Sequence, residues 1–279
     1  MGSAPVVRAL TDEVKNCDPI LVFLAETKAN QNRIKGLQSK LDLTQGIAVP
    51  SNGRSGGLAM LWKEGAEVRF KSYSNTHIDV VVCEGNGAKP WQATGFYGHP
   101  DAGIKPISWN LLESLHMQCQ MPWVVFGDFN EILSIDEKLG WLDRDARQME
   151  GFRECLSNYG LFDLGFVGQR FTWCNVKIGE QRTLVRLDRM IANEEWSNMF
   201  PEAKVVHRSM AAFDHCLLSL SLTMREPKRV ARKRFMFEEK WTREEGCREV
   251  VEWAWDSLDC EPEFSIQKHL KSYQVHLQN

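Results

Sequence analysis

The chain alternates between short unbroken apolar runs and amphipathic stretches, and the spacing of each set predicts its elements. Residues 20–25 form a continuous apolar run behind Asp18-Pro19. So short a run without polar interruption predicts a strand buried on both faces. Val7, Leu10 and Val14 recur at helical spacing just before it, and Ile34, Leu37 and Leu41 predict a second helix over residues 30–41. Strands are predicted next at 46–49, 57–62, 68–73, 78–83 and 91–97. The turn sequences Asn52-Gly53, Lys63-Glu-Gly65 and Gly85-Asn-Gly87 separate several of them. A helix over 107–119 leads to a second fully buried strand at 123–126. Met149, Phe152 and Leu156 then space a helix over 146–159, and short strands follow at 171–174, 184–191, 203–208 and 216–222. Strand clusters interleaved with a few helices predict two packed sheets covered by helices, and not a doubly wound nucleotide-binding fold.

The pattern changes at Met224. Residues 225–234 hold six basic side chains and one acid, and an aromatic-rich, helix-prone stretch follows over 235–258. The expected division is therefore a compact domain over 1–224 and a basic linker with a helical tail over 225–279. Trp241, Trp253 and Trp255 of that tail would want a partner surface. The basic run suits a solvated linker and a nuclear-localisation or DNA-backbone segment equally well.

Composition narrows the class. With 43% apolar and 25% charged residues, the 279-residue chain is neither disordered nor fibrous. A net charge of −3 argues against coating nucleic acid by bulk electrostatics but leaves room for a local basic groove. The eight cysteines include no C-x-x-C pair, so neither a zinc site nor a secreted disulfide framework is expected. No apolar run approaches the roughly 20 residues needed to span a bilayer. The N-terminal residues lack the basic and apolar regions of a secretory signal, and Val6 stands where myristoylation requires Ser or Thr. These features predict a chain that is nuclear or cytoplasmic, not secreted, and makes no membrane contact.

The candidate chemistry lies in polar residues placed directly after buried strands. Glu26 follows the first strand, Asp128 and Asn130 follow the 123–126 strand, and Tyr97 ends another. Asp188 sits in Arg186-Leu-Asp-Arg189, and Asp214-His215 precedes the last strand. Strand ends at one edge of a sheet are where sites on α/β scaffolds collect. Carboxylates converging without matching lysines would repel one another unless a hard cation neutralised them, and a histidine beside them suits proton transfer or contact with a phosphoryl oxygen. Each residue alone also has a plainer explanation: a helix cap or turn for Glu26 and Asp128, a surface salt bridge for Asp188, a structural histidine for His215, simple packing for Tyr97.

Their order carries more information. Leu24-Ala-Glu-Thr-Lys28, Ser55-Gly-Gly-Leu-Ala59, Tyr97-Gly-His-Pro100, Gly127-Asp-Phe-Asn-Glu131, Phe171-Thr-Trp173, Arg186-Leu-Asp-Arg189 and Asp214-His215 occur as one ordered series. This series resembles the endonuclease/exonuclease/phosphatase superfamily, most closely the apurinic-type endonuclease domain of plant non-LTR (LINE-type) retrotransposons. The resemblance runs from about Val7 to Leu222 and continues more weakly through residues 235–241 and 245–248 toward a reverse-transcriptase region that is absent. It implies a four-layer α/β sandwich, two packed mixed β-sheets flanked by helices, and Mg²⁺-dependent cleavage of a phosphodiester in DNA, with Mn²⁺ as an alternative ion. It further implies a monomer that needs no small-molecule cofactor.

Carried over position by position, the resemblance has Glu26 and Asp214 as metal ligands, Asp128 orienting or deprotonating water, and Asn130 positioning the phosphate. Tyr97 would serve the phosphate or leaving group, and His215, held by Asp188, would bind a phosphoryl oxygen. Two departures stand out. Phe213 replaces the family's usual Ser before Asp-His, with Leu217 in place of a following Pro. The family's opening strand, which carries Trp-Asn, would lie ahead of Met1. The expectation is thus a domain without its first strand and of reduced activity. The competing expectations are an inactive remnant that at most binds nucleic acid, and a phosphomonoesterase of the same superfamily.

Overall fold

All five residues of β3 (Leu58–Trp62) are buried, because apolar layers close on both of its faces. The structure is a computed structural model that describes residues 4–51, 56–83, 88–140, 144–175, 182–208 and 214–223. β3 lies between β1 (Leu21–Leu24) and β2 (Gln45–Val49), antiparallel to both. Leu58, Met60 and Trp62 fill a core shared with a second sheet. Ala59 and Leu61, on the opposite face by strand alternation, pack with Leu10 and Val14 of α1 (Ala4–Cys17) and with Ile34, Leu37 and Leu41 of α2 (Gln31–Leu41). Asn30 starts α2 by accepting the Arg33 amide at 3.0 Å.

The second sheet has six strands in the order β4 (Glu67–Tyr73), β5 (His77–Cys83), β6 (Trp91–Tyr97), β7 (Trp123–Asp128), β13 (Asp188–Asn193) and β9 (Leu161–Asp163). One face supplies Ile78, Val80, Trp91, Ala93, Val124 and Ala192 to the core between the sheets. The other buries Phe96, Trp123, Val125 and Ile191 beneath α3 (Lys105–Met117) and α4 (Ala146–Asn158). A further strand group, β10 (Val167–Gly168), β14 (Lys204–Arg208) and β15 (Leu217–Ser221), belongs to the layer of β1–β3. Its Leu217 packs into the core under α1 and α2, and its Leu220 into the core between the sheets. The layers therefore run helix, sheet, sheet, helix, as the sequence series implied. A small third ribbon joins β8 (Lys138–Leu139), β11 (Trp173–Cys174) and β12 (Leu184–Val185).

Only β6 and β7 run parallel in the six-stranded sheet, with α3 as the crossover between them, so their C-terminal ends open at the same edge. Gly127 is what lets them close up there. Its φ is +140°, and a Cβ at this position would overlap the Phe96 carbonyl on the neighbouring strand.

Two strand predictions are corrected. The 20–25 run is not buried on both faces along its length: Ile20 is 59% exposed and β1 lies at the edge of its three-stranded sheet. It is apolar because Leu21 and Phe23 serve the core between the sheets while Val22 and Leu24 serve the helix-side core. The single strand predicted over 184–191 is broken at Arg186-Leu187, and β12 and β13 lie in different sheets. The Arg186 amide goes to the Glu137 carbonyl, and the Leu187 and Asp188 amides both go to the Thr172 hydroxyl, so no continuous ladder forms. Strands β8, β9 and β10 and the short α5 (Glu194–Met199) escaped prediction because they are too short for a hydrophobic period, whereas β11 falls within the strand predicted over 171–174. The tail over 225–279, with its three tryptophans, lies outside the described residues, as does Phe213.

Candidate active site

Three of the singled-out side chains stand in one row across adjacent strands. Tyr97 of β6 pairs with Asp128 of β7, and Asp128 pairs with Asp188 of β13. Register partners share a face, so the three side chains project together at the open edge of the sheet. Glu26, just beyond β1 of the facing sheet, joins the row by accepting the Tyr97 hydroxyl. Glu26 and Lys28 both adopt left-handed backbone conformations, φ 48° and 47°, and the amides of Thr27 and Lys28 are fixed to the Gly57 and Gly56 carbonyls. Non-glycine residues in this region carry strain that tends to collect at functional sites.

His215 closes the cluster. Its Nδ1 lies 2.8 Å from Asp188 Oδ2. The backbone that delivers it is bridged to the 171–174 segment: the Cys216 amide donates to the Thr172 carbonyl at 2.7 Å, and the Cys174 amide to the Asp214 carbonyl at 3.0 Å. Thr172, 1% exposed, also accepts the Asp188 amide at 2.9 Å. One buried threonine thus fixes the segments that bear both partners of the pair.

Asn130, with φ 53°, turns the chain back on Asp128. Its backbone amide donates to Asp128 Oδ1 at 2.8 Å, and its Nδ2 donates to Asp128 Oδ2 and to the Gly98 carbonyl, each at 2.9 Å. The left-handed turn is held from behind by cations that the sequence reading did not single out. Lys105 Nζ and Arg144 each donate to the Asn130 carbonyl at 2.5 Å, and both pair with the fully buried Glu131 carboxylate.

The arginines flanking Asp188 do not pair with it. Arg186 and Arg189 turn into a buried quartet in which each donates to both Glu137 and Asp163, at 2.7–2.8 Å, so that all four carboxylate oxygens are taken. That closure leaves Asp188 free for His215. The surface salt bridge considered for Asp188 is absent. The acidic residues Glu137 and Asp163, far apart in sequence, gave no signal because their partners are defined only by the fold.

Burial and crowding set the protonation states. Burial, reinforced by the Asp188 charge, raises Asp128 to about 7. Burial opposes the charged form of His215, but the Asp188 carboxylate outweighs it and lifts the ring to about 9. For Glu26 burial pulls upward, yet the hydrogen bonds from Tyr97 and Lys28 win and hold it below the usual carboxylate range. Burial and the adjoining Glu26 charge keep the Tyr97 phenol protonated. The site therefore combines an ionised carboxylate, a carboxyl poised near neutrality and an imidazolium, a set suited to general acid–base chemistry and to stabilising negative charge.

Asp214 is not in this register row; it is exposed, and its charge acts on His215. Among the described residues no three His, Cys, Asp or Glu side chains gather closely enough to hold a metal ion by themselves. Mg²⁺ does not require such a cage, since it keeps several waters and takes one or two carboxylates together with substrate phosphate. The ionised, half-exposed Glu26 suits that mode.

The family model described as "Endonuclease/Exonuclease/phosphatase family" matches residues 1–219. No curated protein sequence matches the chain. Among solved structures, the endonuclease domain of TRAS1, a telomere-specific non-LTR retrotransposon, superposes with a TM-score of 0.60 at 14% identity, covering 80% of this chain and 95% of that one. The AP endonuclease LMAP from Leishmania major gives 0.59 at 13% identity, covering 78% and 83%. A variant of the 3′ phosphatase NExo from Neisseria, bound to product DNA hairpin, gives 0.58 at 14% identity, covering 77% and 93%. At these identities the likeness is one of fold. Together with the family match over most of its length, it establishes that this chain belongs to the endonuclease/exonuclease/phosphatase family.

Proposed function

We propose that the chain is a Mg²⁺-dependent phosphodiesterase, a DNA endonuclease of retroelement origin that nicks one strand. The observation that carries this reading is the row Tyr97–Asp128–Asp188 closed by His215, with Asp128 held near neutrality. Glu26, with Asp214, would hold the ion, which when bound supplies neutralising charge to the phosphate. The remaining work falls to the chain's own side chains. Asp128, oriented by Asn130, accepts the proton of the attacking water. The His215 imidazolium, held by Asp188, donates to a phosphoryl oxygen as negative charge builds there. The Tyr97 hydroxyl, set by Glu26, lies where it can serve the phosphate or the departing oxygen. The partner is DNA, and no helix among the described residues is long and apolar enough to cross a membrane.

Incubation with supercoiled plasmid in Mg²⁺, beside a phosphate-release assay on a 3′-phosphorylated oligonucleotide, tests the proposal. Open-circle product that EDTA abolishes supports the endonuclease. Phosphate release without nicking would assign the site to phosphomonoesters instead.

A further inference from the structure

The edge strand β4 carries two large aromatic side chains into solvent: Phe70 is 52% and Tyr73 59% exposed. Three residues apart on a regular strand, they would point to opposite faces. They do not, because the pairing of β4 with β5 shifts between Phe70 and Ser72. Beyond this bulge Phe70 is opposite Val80 and Tyr73 opposite Ile78, and both partners face the core between the sheets. The bulge therefore gathers the two rings on one face, with centroids 5.9 Å apart. Tyr97 packs against that same core, so the rings share a face with the row that ends in the candidate site. Bulges that re-aim side chains are common beside active sites.

The β4–β5 turn is also tied to the site. The Tyr97 amide donates to the Thr76 carbonyl at 2.8 Å. Ser74 Oγ lies 3.0 Å from Thr76 Oγ1 and 2.8 Å from His77 Nδ1, while Ser72 Oγ lies 3.1 Å from His77 Nε2. Both nitrogens of the buried imidazole are thus occupied by hydroxyls on the strand that bears the rings and on its turn. At ordinary strand spacing, β4 lies about 10 Å from β6, the reach of a nucleotide or two along a strand. Acids do not line the ring-bearing face: Asp79 is fully buried and answered by Lys71 at 3.7 Å, and Glu67 opens β4 opposite Cys83, while Arg69 and Lys71 stand on the other face of the strand.

We propose that Phe70 and Tyr73 form a stacking platform for the bases of a DNA strand that flanks the phosphate held at the candidate site. The proposal rests on the reading of that site as one acting on DNA. Aromatic faces accept any base, so the platform would add affinity and position without reading sequence.

The test uses the full chain in EDTA, so that no cleavage intervenes, and a fluorescein-labelled single-stranded oligonucleotide with 2-aminopurine at successive positions. The wild-type protein is expected to bind and to quench 2-aminopurine at one or two neighbouring positions. The double variant Phe70→Ala/Tyr73→Ala, both at exposed positions, should bind at least about tenfold more weakly and lose the quenching, with an unchanged thermal midpoint. Phe70→Trp/Tyr73→Trp should restore both. A double variant that binds and quenches like wild type overturns the platform. If plasmid nicking by the wild type is meanwhile intact, the site's reading survives that failure. Loss of a concentration-dependent dimer in the double variant, with DNA affinity unchanged, would overturn the proposal in favour of a contact between two copies. Absence of any DNA binding by the wild type overturns the platform, and absence of nicking overturns the reading beneath it.

Discussion

Asp128 and Asp188 face each other directly across the antiparallel pair β7–β13. Like charges in that position are ordinarily destabilising, and the fold meets the conflict with His215, 2.8 Å from Asp188. One carboxylate is thereby kept as the partner of an imidazolium. The other is pushed toward protonation by burial and by its neighbour.

Replacing Asp188 with Asn should undo this division. With the main support of its charge gone, His215 is expected to fall from about 9 to near or below its ordinary 6.5 in the metal-free protein. Because the folded pKa is raised, the pair's stabilisation is fully present below pH 6.5 and disappears as pH rises through 9. Wild type should therefore lose stability over that window and Asp188→Asn should not. Imidazole proton shifts followed by NMR, with denaturant melts on either side of the window, check both halves.

Thr172 makes a different demand. Its hydroxyl accepts the amides of Leu187 and Asp188 in a fully buried setting, at 3.0 and 2.9 Å. Thr172→Val keeps the volume but strands two donors, and should cost about 2 kcal/mol or more. Nicking should fall further than the stability loss explains, since Asp188 and the His215 segment both lose their common anchor. Thr172→Ser should recover both properties. A valine variant with a wild-type melt and wild-type rate would remove Thr172 from the account.

At the β4–β5 turn the sign reverses. Burial lowers His77 to about 4, so the folded state favours the neutral ring. Its contribution is complete above pH 6.5 and is lost as pH falls toward 4, by an amount on the order of 3 kcal/mol. His77→Asn should therefore flatten the acid limb of the stability curve between those values. Urea melts across that range measure it, and parallel curves for the two proteins would show that the imidazole does not titrate with folding.

How far the sequence revealed all this depends on the distance over which each feature is encoded. Helices at α1–α4 and the long strands were legible because their apolar spacing is local. Strand β6 was predicted to the residue, since Trp91, Ala93 and Phe96 bury on two faces between clear turn signals. The row Tyr97–Asp128–Asp188 was legible only as motifs in order, because cross-strand register is a property of pairing and not of either strand alone. Glu131, Lys105 and Arg144 were missed for a related reason. Nothing within a few residues of Asn130 announces that its carbonyl needs two distant cations. The break at Arg186-Leu187 was hidden because a side-chain hydroxyl 15 and 16 residues upstream of the two amides, and not a proline or glycine, interrupts the ladder.

The proposed hydrolysis depends most directly on Asp128. Its carboxyl lies at a strand end, so Asp128→Ala removes chemistry without core volume. Relaxation of supercoiled plasmid should be followed for wild type and variant, purified in parallel, in Mg²⁺ and in EDTA, with the thermal midpoint of each recorded. The expected result is a fall of at least about a hundredfold in the nicking rate of a variant that stays folded at the assay temperature, with EDTA silencing both. A variant that nicks at the wild-type rate, or nicking that persists in EDTA, would contradict it.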